Sequence, residues 1–560
     1  MGNTISLSEL KRLIRSIDGR GYGAYKRLKG LVVNYEIAKL RFTKVQGDPH
    51  APPSIAEVVI PSRTHKLPED LLKPEYITPF TDFIARELYK VTRSVRRKCG
   101  SGYSCYVGVP RPGPWILRRS CAEVEARDLV LRFYIGLPAR GRRVQGSQAA
   151  ALLLEDIPKV IRHIVGLRAR VSEIRDHIRN YVDQEYLRRW LYERGCIAFV
   201  GNGSILPRES SISEKPMKGA IPFKSPETLE VTIELPSGKV VEGMALPEGL
   251  TVVTGGGYHG KTTLLEALQE GIYDHVAGDG REYVVSRKYT ALVKAEDGRI
   301  VSHVDISSFI SRLPSGEDTA DYVSLDASGS TSMAASISEA IEAGAEVLLI
   351  DEDTSATNLL YKDEVMSEII SDDPIKTLDV QAKDLIRKTG ISIVAVMSAS
   401  SSFLSIADKI IRMRRYVPED ITHLARSSSR CLSSQQGAYR PPRERVFCGI
   451  EGLRKLKSSG YKIVAEYANG ERFELDLSYC PRIVEKGQVK FIACIMRKLR
   501  APRKPMRVRE LVNYINNLTS KVGFKAFVEP VPPDLTAVDG FDVVWVLNRF
   551  YKALFSQLGP

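Results

Sequence analysis

The segment Gly255-Gly256-Gly257-Tyr258-His259-Gly260-Lys261-Thr262 has residue types and spacing that specify a definite chemistry. It fits the pattern GxxxxGK[ST], in which glycines let the backbone curl tightly with its N–H groups turned toward a phosphate. The apolar run Leu250–Val253 reads as an incoming strand and Thr263–Leu268 as the outgoing helix, whose N-terminus adds free donors and a favourable dipole. In that setting Lys261 is positioned to pair with the β- and γ-phosphates of ATP, and the Thr262 hydroxyl to hold Mg²⁺. Residues Gly255 to Thr263 form the expected nucleotide-binding set, with no chemical role for His259, whose side chain is expected to face solvent.

A second constellation follows. Val347-Leu348-Leu349-Ile350-Asp351-Glu352 is a buried-strand pattern ending in two carboxylates. A P-loop site needs a carboxylate at such a strand end to hold Mg²⁺, the role expected of Asp351. Glu352 is then placed to take a proton from an attacking water as general base.

Between the two motifs, Ala327-Ser328-Gly329-Ser330-Thr331 precedes a helical stretch, Ser332–Ala343. Here the chain resembles the ABC ATPases, whose signature has the form LSGGQ and lies 24 residues before the metal-holding carboxylate; Ala327 to Asp351 is also 24 residues. Ser328 and Gly329 match the signature's Ser and first Gly, and the other three positions diverge. Ser355, Ala356, Thr357 and Asn358 look like part of the family's D-loop. Ile393–Val396 with Ala407-Asp408 is similar to the strand and helix around its switch histidine. Phe199–Arg208, Asp326–Ser332 and Ile17–Tyr22 extend the resemblance to a narrower family, the predicted ATPases of the ABC class, over almost the whole length. That resemblance implies ATP and Mg²⁺ as ligands and a γ-phosphate contact from Ser328 to Ser330 of a partner copy, hence a homodimer on ATP binding. A kinetoplastid mitochondrial member tied to RNA editing and RNA binding implies RNA.

The chain departs from the wider pattern in two places. Ser398 occupies the switch-histidine position. No glutamine lies between Gln269 and Gln381, so the usual Q-loop residue is missing, and Asp305 is the substitute considered, against a simpler role capping its own turn. Phe223 is a candidate to stack on adenine, although a core or loop aromatic is the better expectation.

The elements that must position these groups divide the chain into an α/β fold with an ABC-type P-loop core. The expected parts are an N-terminal α/β domain over 1–205, a linker over 206–225, the ATPase core over 226–415, a second linker over 416–447 and a smaller α+β domain over 448–560. Leu7–Ile17 reads as a helix, Lys462–Tyr467 and Arg472–Leu477 as strands, and Val508–Leu518 and Val544–Leu558 as helices. Eight cysteines without a CxxC pair argue against a zinc ribbon, and in a chain of 560 residues they read as mostly reduced core thiols of a cytoplasmic protein. No apolar run has transmembrane length. A transporter subunit would need a membrane partner, which the large basic flanking domains fit poorly, so no transmembrane partner is expected. Gly2 and Ser6 match a loose myristoylation pattern.

Charge supplies a further expectation. Lys and Arg number 81 against 67 Asp and Glu, a net charge of +14. The excess is clustered. Arg93, Arg96, Arg97, Arg118, Arg119, Arg142 and Arg143 lie in one stretch with Tyr103, Tyr106, Trp115, Phe133 and Tyr134 interleaved, and Arg500, Arg503 and Lys504 lie in another. Basic grooves bind phosphate backbones and aromatics stack single-stranded bases, so both clusters are candidate nucleic-acid contacts. The expected function is therefore ATP hydrolysis coupled to nucleic acid, RNA by the resemblance. The alternatives are a nucleotide-gated binding protein with very slow turnover, a DNA-directed ABC ATPase and a transporter ATPase subunit.

Overall fold

The computed structural model describes residues 3–362, 369–370, 372–398, 400–428 and 438–558; Gly2 and Cys431 lie outside the described residues. Contacts divide the chain into two compact units. One holds Met1–Tyr181, Glu485–Phe491 and Val522–Ala537; the other holds Val182–Val484, Ile492–Lys521 and Val538–Pro560.

The first unit opens with the expected N-terminal helix, Leu7–Ser16. Ser6 and Glu9 close a reciprocal capping box that satisfies two of its orphan amides. Its main sheet centres on Ser54–Ile60 and Asp128–Ile135, paired antiparallel along their full lengths. The helices Ile77–Val95 and Ile157–Gly166 bury apolar faces. A buried ion network fixes this core: Asp82 pairs with Arg86, Arg119 and His177, and Arg119 also pairs with Glu485 at 2.5 Å. Cys99 and Cys105 are disulfide-bonded, which corrects the expectation of reduced thiols at these two positions. The spacing of six residues allows a short loop to bring the two Cα atoms to 5.7 Å, within bridging distance.

The second unit carries the α/β layout expected for the core. A mostly parallel sheet has Leu250–Thr254 (β1), Thr290–Val293 (β2), Val347–Asp351 (β3), Ser392–Val396 (β4), Lys409–Arg414 (β5) and Val417–Asp420 (β6) in the order β2-β3-β4-β1-β5-β6. Only β6 runs antiparallel to its neighbour. β1, β3 and β4 are apolar and buried on both faces, as parallel strands between covering layers must be. The helices Lys261–Glu270 (α1), Gly329–Ala343 (α2) and Leu378–Thr389 (α3) connect these strands. A separate antiparallel sheet joins Cys196–Gly201 to Val240–Pro247 and Val284–Ser286. Its side chains Ile197, Val200, Met244 and Leu246 share one core cluster with Leu264 and Leu268 of α1.

The segment Val544–Leu558 is not one helix. A capped helix spans Gly540–Leu547, and Ala553–Gln557 is a strand paired antiparallel with Arg445–Ile450. No helix among the described residues is long and apolar enough to cross a membrane.

Candidate nucleotide site

The glycine-rich loop leaves β1 and enters α1 at Lys261. Gly255 has φ 136° and Gly260 φ 93°. A Cβ on Gly255 would come within 2.3 Å of the Met413 carbonyl, so only glycine fits this turn. Lys261 is buried, and its Nζ donates to the carbonyls of Gly255 at 2.8 Å and Gly256 at 2.9 Å. Its ammonium is thus held at the loop.

Sheet order brings the second motif to the first. β4 lies between β1 and β3, so the C-terminal ends of β1 and β3 open on the same edge. There the Thr262 hydroxyl donates to Asp351 Oδ2 at 3.1 Å. Burial raises the Asp351 carboxyl above its ordinary range, against hydrogen bonds from the Asp353 N–H and Thr262 that lower it. One hydroxyl and one carboxylate in contact are hard oxygen donors of the kind Mg²⁺ selects.

Glu352 follows directly. One carboxylate oxygen accepts the Tyr361 hydroxyl at 2.6 Å, and the other accepts the backbone N–H of Ser398 at 2.5 Å. The hydrogen bond to Glu352 pushes the Tyr361 phenol up to about 12, so it stays a donor through the neutral range. Neither contact was legible in the sequence. Ser398 meets the acid through its main chain, a contact that any residue but proline can supply.

Around Ser328, the side chains turn to local partners. Ser328 caps α2, with its Oγ 3.0 Å from the Thr331 hydroxyl. Gly329 packs where an added Cβ would lie 3.0 Å from Asp297. Ser330 donates to Asn358 at 2.9 Å, and Ser355 donates to the Asp351 carbonyl at 2.7 Å, so the start of α2 is joined to the segment that follows Asp351 within one chain. Ala356 is the N-cap residue of the short helix Thr357–Leu360. Asp305 accepts from the N–H and hydroxyl of Ser307 at 3.0 and 2.6 Å, the turn-capping arrangement. His259 is half-buried with Nδ1 3.3 Å from the Met413 carbonyl, rather than facing solvent.

Beside the loop lies a cavity of about 440 Å³ lined by Gly260, Thr263, Met413, Tyr416, Phe223 and Ile221, among other mostly apolar groups. Phe223 is 3 % exposed and belongs to the core cluster, so it contributes a wall. Tyr416, half-exposed and with its ring 3.0 Å from where a Gly260 Cβ would stand, is the aromatic at the mouth.

Tyr258 is 97 % exposed and holds φ 60°, the left-handed region that a bulky residue rarely adopts. We expect Tyr258→Gly to raise stability by roughly 0.5–1 kcal/mol, because relief of the left-handed cost outweighs the added chain entropy. Urea denaturation of the nucleotide-free chain measures it; a loss of stability would mean that the ring packs on something in solution.

The basic clusters divide by burial and pairing. Arg119 is 3 % exposed and committed to Asp82 and Glu485, which corrects its assignment as a nucleic-acid contact: a buried guanidinium paired with two carboxylates cannot reach a phosphate backbone. Arg96 lies over the Tyr106 ring at 4.3 Å, Arg97 bonds Gln148 at 2.6 Å and pairs with Asp156 at 3.2 Å, Arg142 pairs with Asp48 at 2.9 Å, and Arg143 bonds the Gly19 carbonyl at 3.2 Å. Arg118 is half-buried. Arg93, Arg500, Arg503 and Lys504 are exposed. Of the interleaved aromatics, Trp115 and Phe133 are core residues, whereas Tyr103 is exposed.

A glycine loop between a parallel strand and a helix, with its Thr beside the terminal Asp of the next strand but one, defines a P-loop nucleotide-binding domain. Family models agree: one described as a P-loop domain matches residues 170–445, and one described as the N-terminal part of an ATPase of the ABC class matches residues 7–168. The chain belongs to this family of ABC-class ATPases. An uncharacterized protein of Methanocaldococcus jannaschii is 38 % identical over 218 residues, which are 37 % of this chain and 47 % of that protein, so the match spans about half the relative's length. Among solved structures, a bacterial Atm1-family ABC exporter with ATP bound is 14 % identical over 52 % of this chain and 54 % of that one, at a TM-score of 0.24.

Proposed function

We propose that the chain binds ATP at Gly255–Thr263 and hydrolyses it, with Lys261 facing the β- and γ-phosphates and Glu352 as general base. What supports this is the carboxylate of Glu352, fixed between the Tyr361 hydroxyl and the Ser398 N–H one residue beyond the Asp351–Thr262 pair. Thr262 and Asp351 are the residues that would hold Mg²⁺, which supplies charge neutralisation on the phosphates when bound. The two donors orient Glu352 so that it can take a water proton, and Lys261 binds the transferred charge. The nucleotide base occupies the cavity beside Gly260, with Tyr416 stacking on it and Phe223 closing the wall.

We further propose that two copies share each nucleotide, the Ser328–Ser330 segment of one reaching the P-loop of the other. Ser328 is exposed and stands at the N-terminus of a 15-residue helix, where free amides and the helix dipole favour a γ-phosphate. Lys261→Ala chains mixed with Ser328→Arg chains should then regain turnover that neither variant has alone. Inactive mixtures with demonstrated subunit exchange would count against shared sites.

ATP-driven closure would act on nucleic acid, with single-stranded RNA the substrate of choice, through exposed cations such as Arg93, Arg500, Arg503 and Lys504. Binding should weaken steeply with salt, because each neutralised phosphate releases condensed counterions. Arg503→Glu with Lys504→Glu should lower RNA affinity and flatten that salt slope while leaving ATP affinity unchanged, as read by fluorescence anisotropy. Salt-insensitive binding that survives both reversals would exclude this substrate.

A further inference from the structure

Two exposed patches of the Val182–Val484 unit carry opposite charge, one beside Gly260 and the other beside Ser328. In the first, Arg415 and Tyr416 form the two-residue turn between β5 and β6, where Arg414 pairs with Val417. They hold φ 48° and 69°, and Tyr258 in the glycine-rich loop holds φ 60°. A two-residue hairpin turn with positive φ at both positions favours Asn-Gly, and the left-handed region costs other residues roughly 1–2 kcal/mol each. The Tyr416 N–H donates to the His259 carbonyl at 3.2 Å, which ties the hairpin to the P-loop. Tyr258, Arg414, Arg415 and Tyr416 are all exposed. The chain thus holds bulky residues in costly backbone conformations that leave their side chains in solvent.

The second patch lies on the strand Tyr322–Ala327, which among the described residues pairs only with Arg299–Val304. Val323 and Leu325 stand on one face of it and are 45 % and 65 % exposed. Asp326 is exposed next to them, and exposed Asp297 has its Oδ1 3.0 Å from where a Gly329 Cβ would stand. The turn carrying Asp297 is fixed on both sides. The Glu296 N–H donates to Ser332 Oγ at 2.9 Å, and the Gly298 N–H to the Ala327 carbonyl at 2.9 Å. Among the described residues, the side chains of Arg414, Arg415, Asp297 and Asp326 form no ion pair or hydrogen bond.

The first patch is aromatic with cations at its rim, and the second is aliphatic with carboxylates at its rim. An apolar centre with a polar rim is the anatomy of a protein interface, and opposite signs on two patches make the chain its own complement. A two-fold axis brings each patch against the other patch of a second copy, so the contact forms twice and closes. We propose that a second copy of this chain docks on both patches at once. Arg414 and Arg415 of each copy meet Asp297 and Asp326 of the other, and Tyr258 packs on Val323 and Leu325. The proposal rests on the shared-nucleotide reading and names the surfaces that hold the two copies together. It also neutralises the carboxylate beside Ser328, where the shared γ-phosphate sits in that reading.

The test is sedimentation velocity of the full chain with Mg²⁺ and a non-hydrolysable ATP analogue. Arg414→Glu with Arg415→Glu makes both patches acidic, and Asp297→Lys with Asp326→Lys makes both basic. Each double variant should self-associate at least about tenfold more weakly than the wild type, because like charges then face each other. An equimolar mixture of the two should dimerise again, since both contacts of the mixed dimer regain opposite charges, and that rescue also shows both variants to be folded. Leu325→Ser, which keeps the charges, should weaken association and leave the unfolding midpoint of the nucleotide-free chain unchanged. A wild type that stays monomeric with the analogue, a double variant that dimerises like the wild type, or a mixture that stays monomeric would overturn these surfaces. Turnover regained by mixing Lys261→Ala with Ser328→Arg chains, alongside either of the last two results, would keep the shared site and reject the docking surfaces alone.

Discussion

Glu352→Gln should bind ATP with near wild-type affinity and lose turnover by about 10²–10⁴-fold, the range spanned by removal of a positioned general base. The substitution preserves size, but an amide cannot take a proton from water. It also disturbs the local bonding. The carboxylate accepts from Tyr361 and the Ser398 N–H, whereas an amide offers one oxygen and one NH₂ group. The amide oxygen can stay on the Ser398 N–H while the NH₂ group donates to the Tyr361 hydroxyl oxygen, so the bond to Tyr361 reverses direction and the Ser398 contact persists. Steady-state phosphate release and equilibrium nucleotide binding, measured on the same preparation, separate chemistry from affinity. Normal turnover in this variant would mean that another base operates, with Asp353 the first to examine.

Lys261→Ala should weaken ATP binding by about 2–5 kcal/mol, the cost of truncating one partner of a buried, hydrogen-bonded charge pair. That corresponds to roughly 30-fold to several-thousand-fold in affinity. The lysine is buried, and its ammonium is held by Gly255 and Gly256 at the curl of the loop. Its removal leaves the loop backbone intact, because the tight turn is set by the positive-φ glycines rather than by the side chain. The folded state should therefore persist while nucleotide affinity collapses. Calorimetric titration measures the affinity and circular dichroism the fold; wild-type affinity would remove the P-loop from the account.

The parts of this site legible in the sequence are those carried by contiguous residues. Gly255–Thr262 and Val347–Glu352 each combine a strand, a turn and their functional groups within a few positions, so spacing alone revealed them. The α/β layout followed for the same reason. Tyr416 and the Ser398 N–H come to the site only through the order β3-β4-β1-β5, and no local pattern encodes strand order; Tyr361 reaches Glu352 from nine residues along the same connection. The cavity wall from Ile221 to Phe223 comes from a stretch that reads as featureless loop. Charge misled at Arg119, since a count of cations does not reveal that Asp82 and Glu485 fold against one of them. The segment Val544–Leu558 is apolar enough to suit either period. Its division into helix and strand is settled by pairing with Arg445–Ile450, about a hundred residues earlier in the chain.

Lys261 is assigned to binding and Glu352 to chemistry, and a single-turnover experiment separates the two. Purified chain in excess is mixed with γ-labelled ATP and Mg²⁺, and bound nucleotide and released phosphate are followed together for wild type, Lys261→Ala and Glu352→Gln. Under this assignment the wild type converts bound ATP to ADP and phosphate, Glu352→Gln holds bound but intact ATP, and Lys261→Ala holds little ATP. Phosphate release by Glu352→Gln at the wild-type rate, or a wild type that binds ATP and never cleaves it, would contradict it.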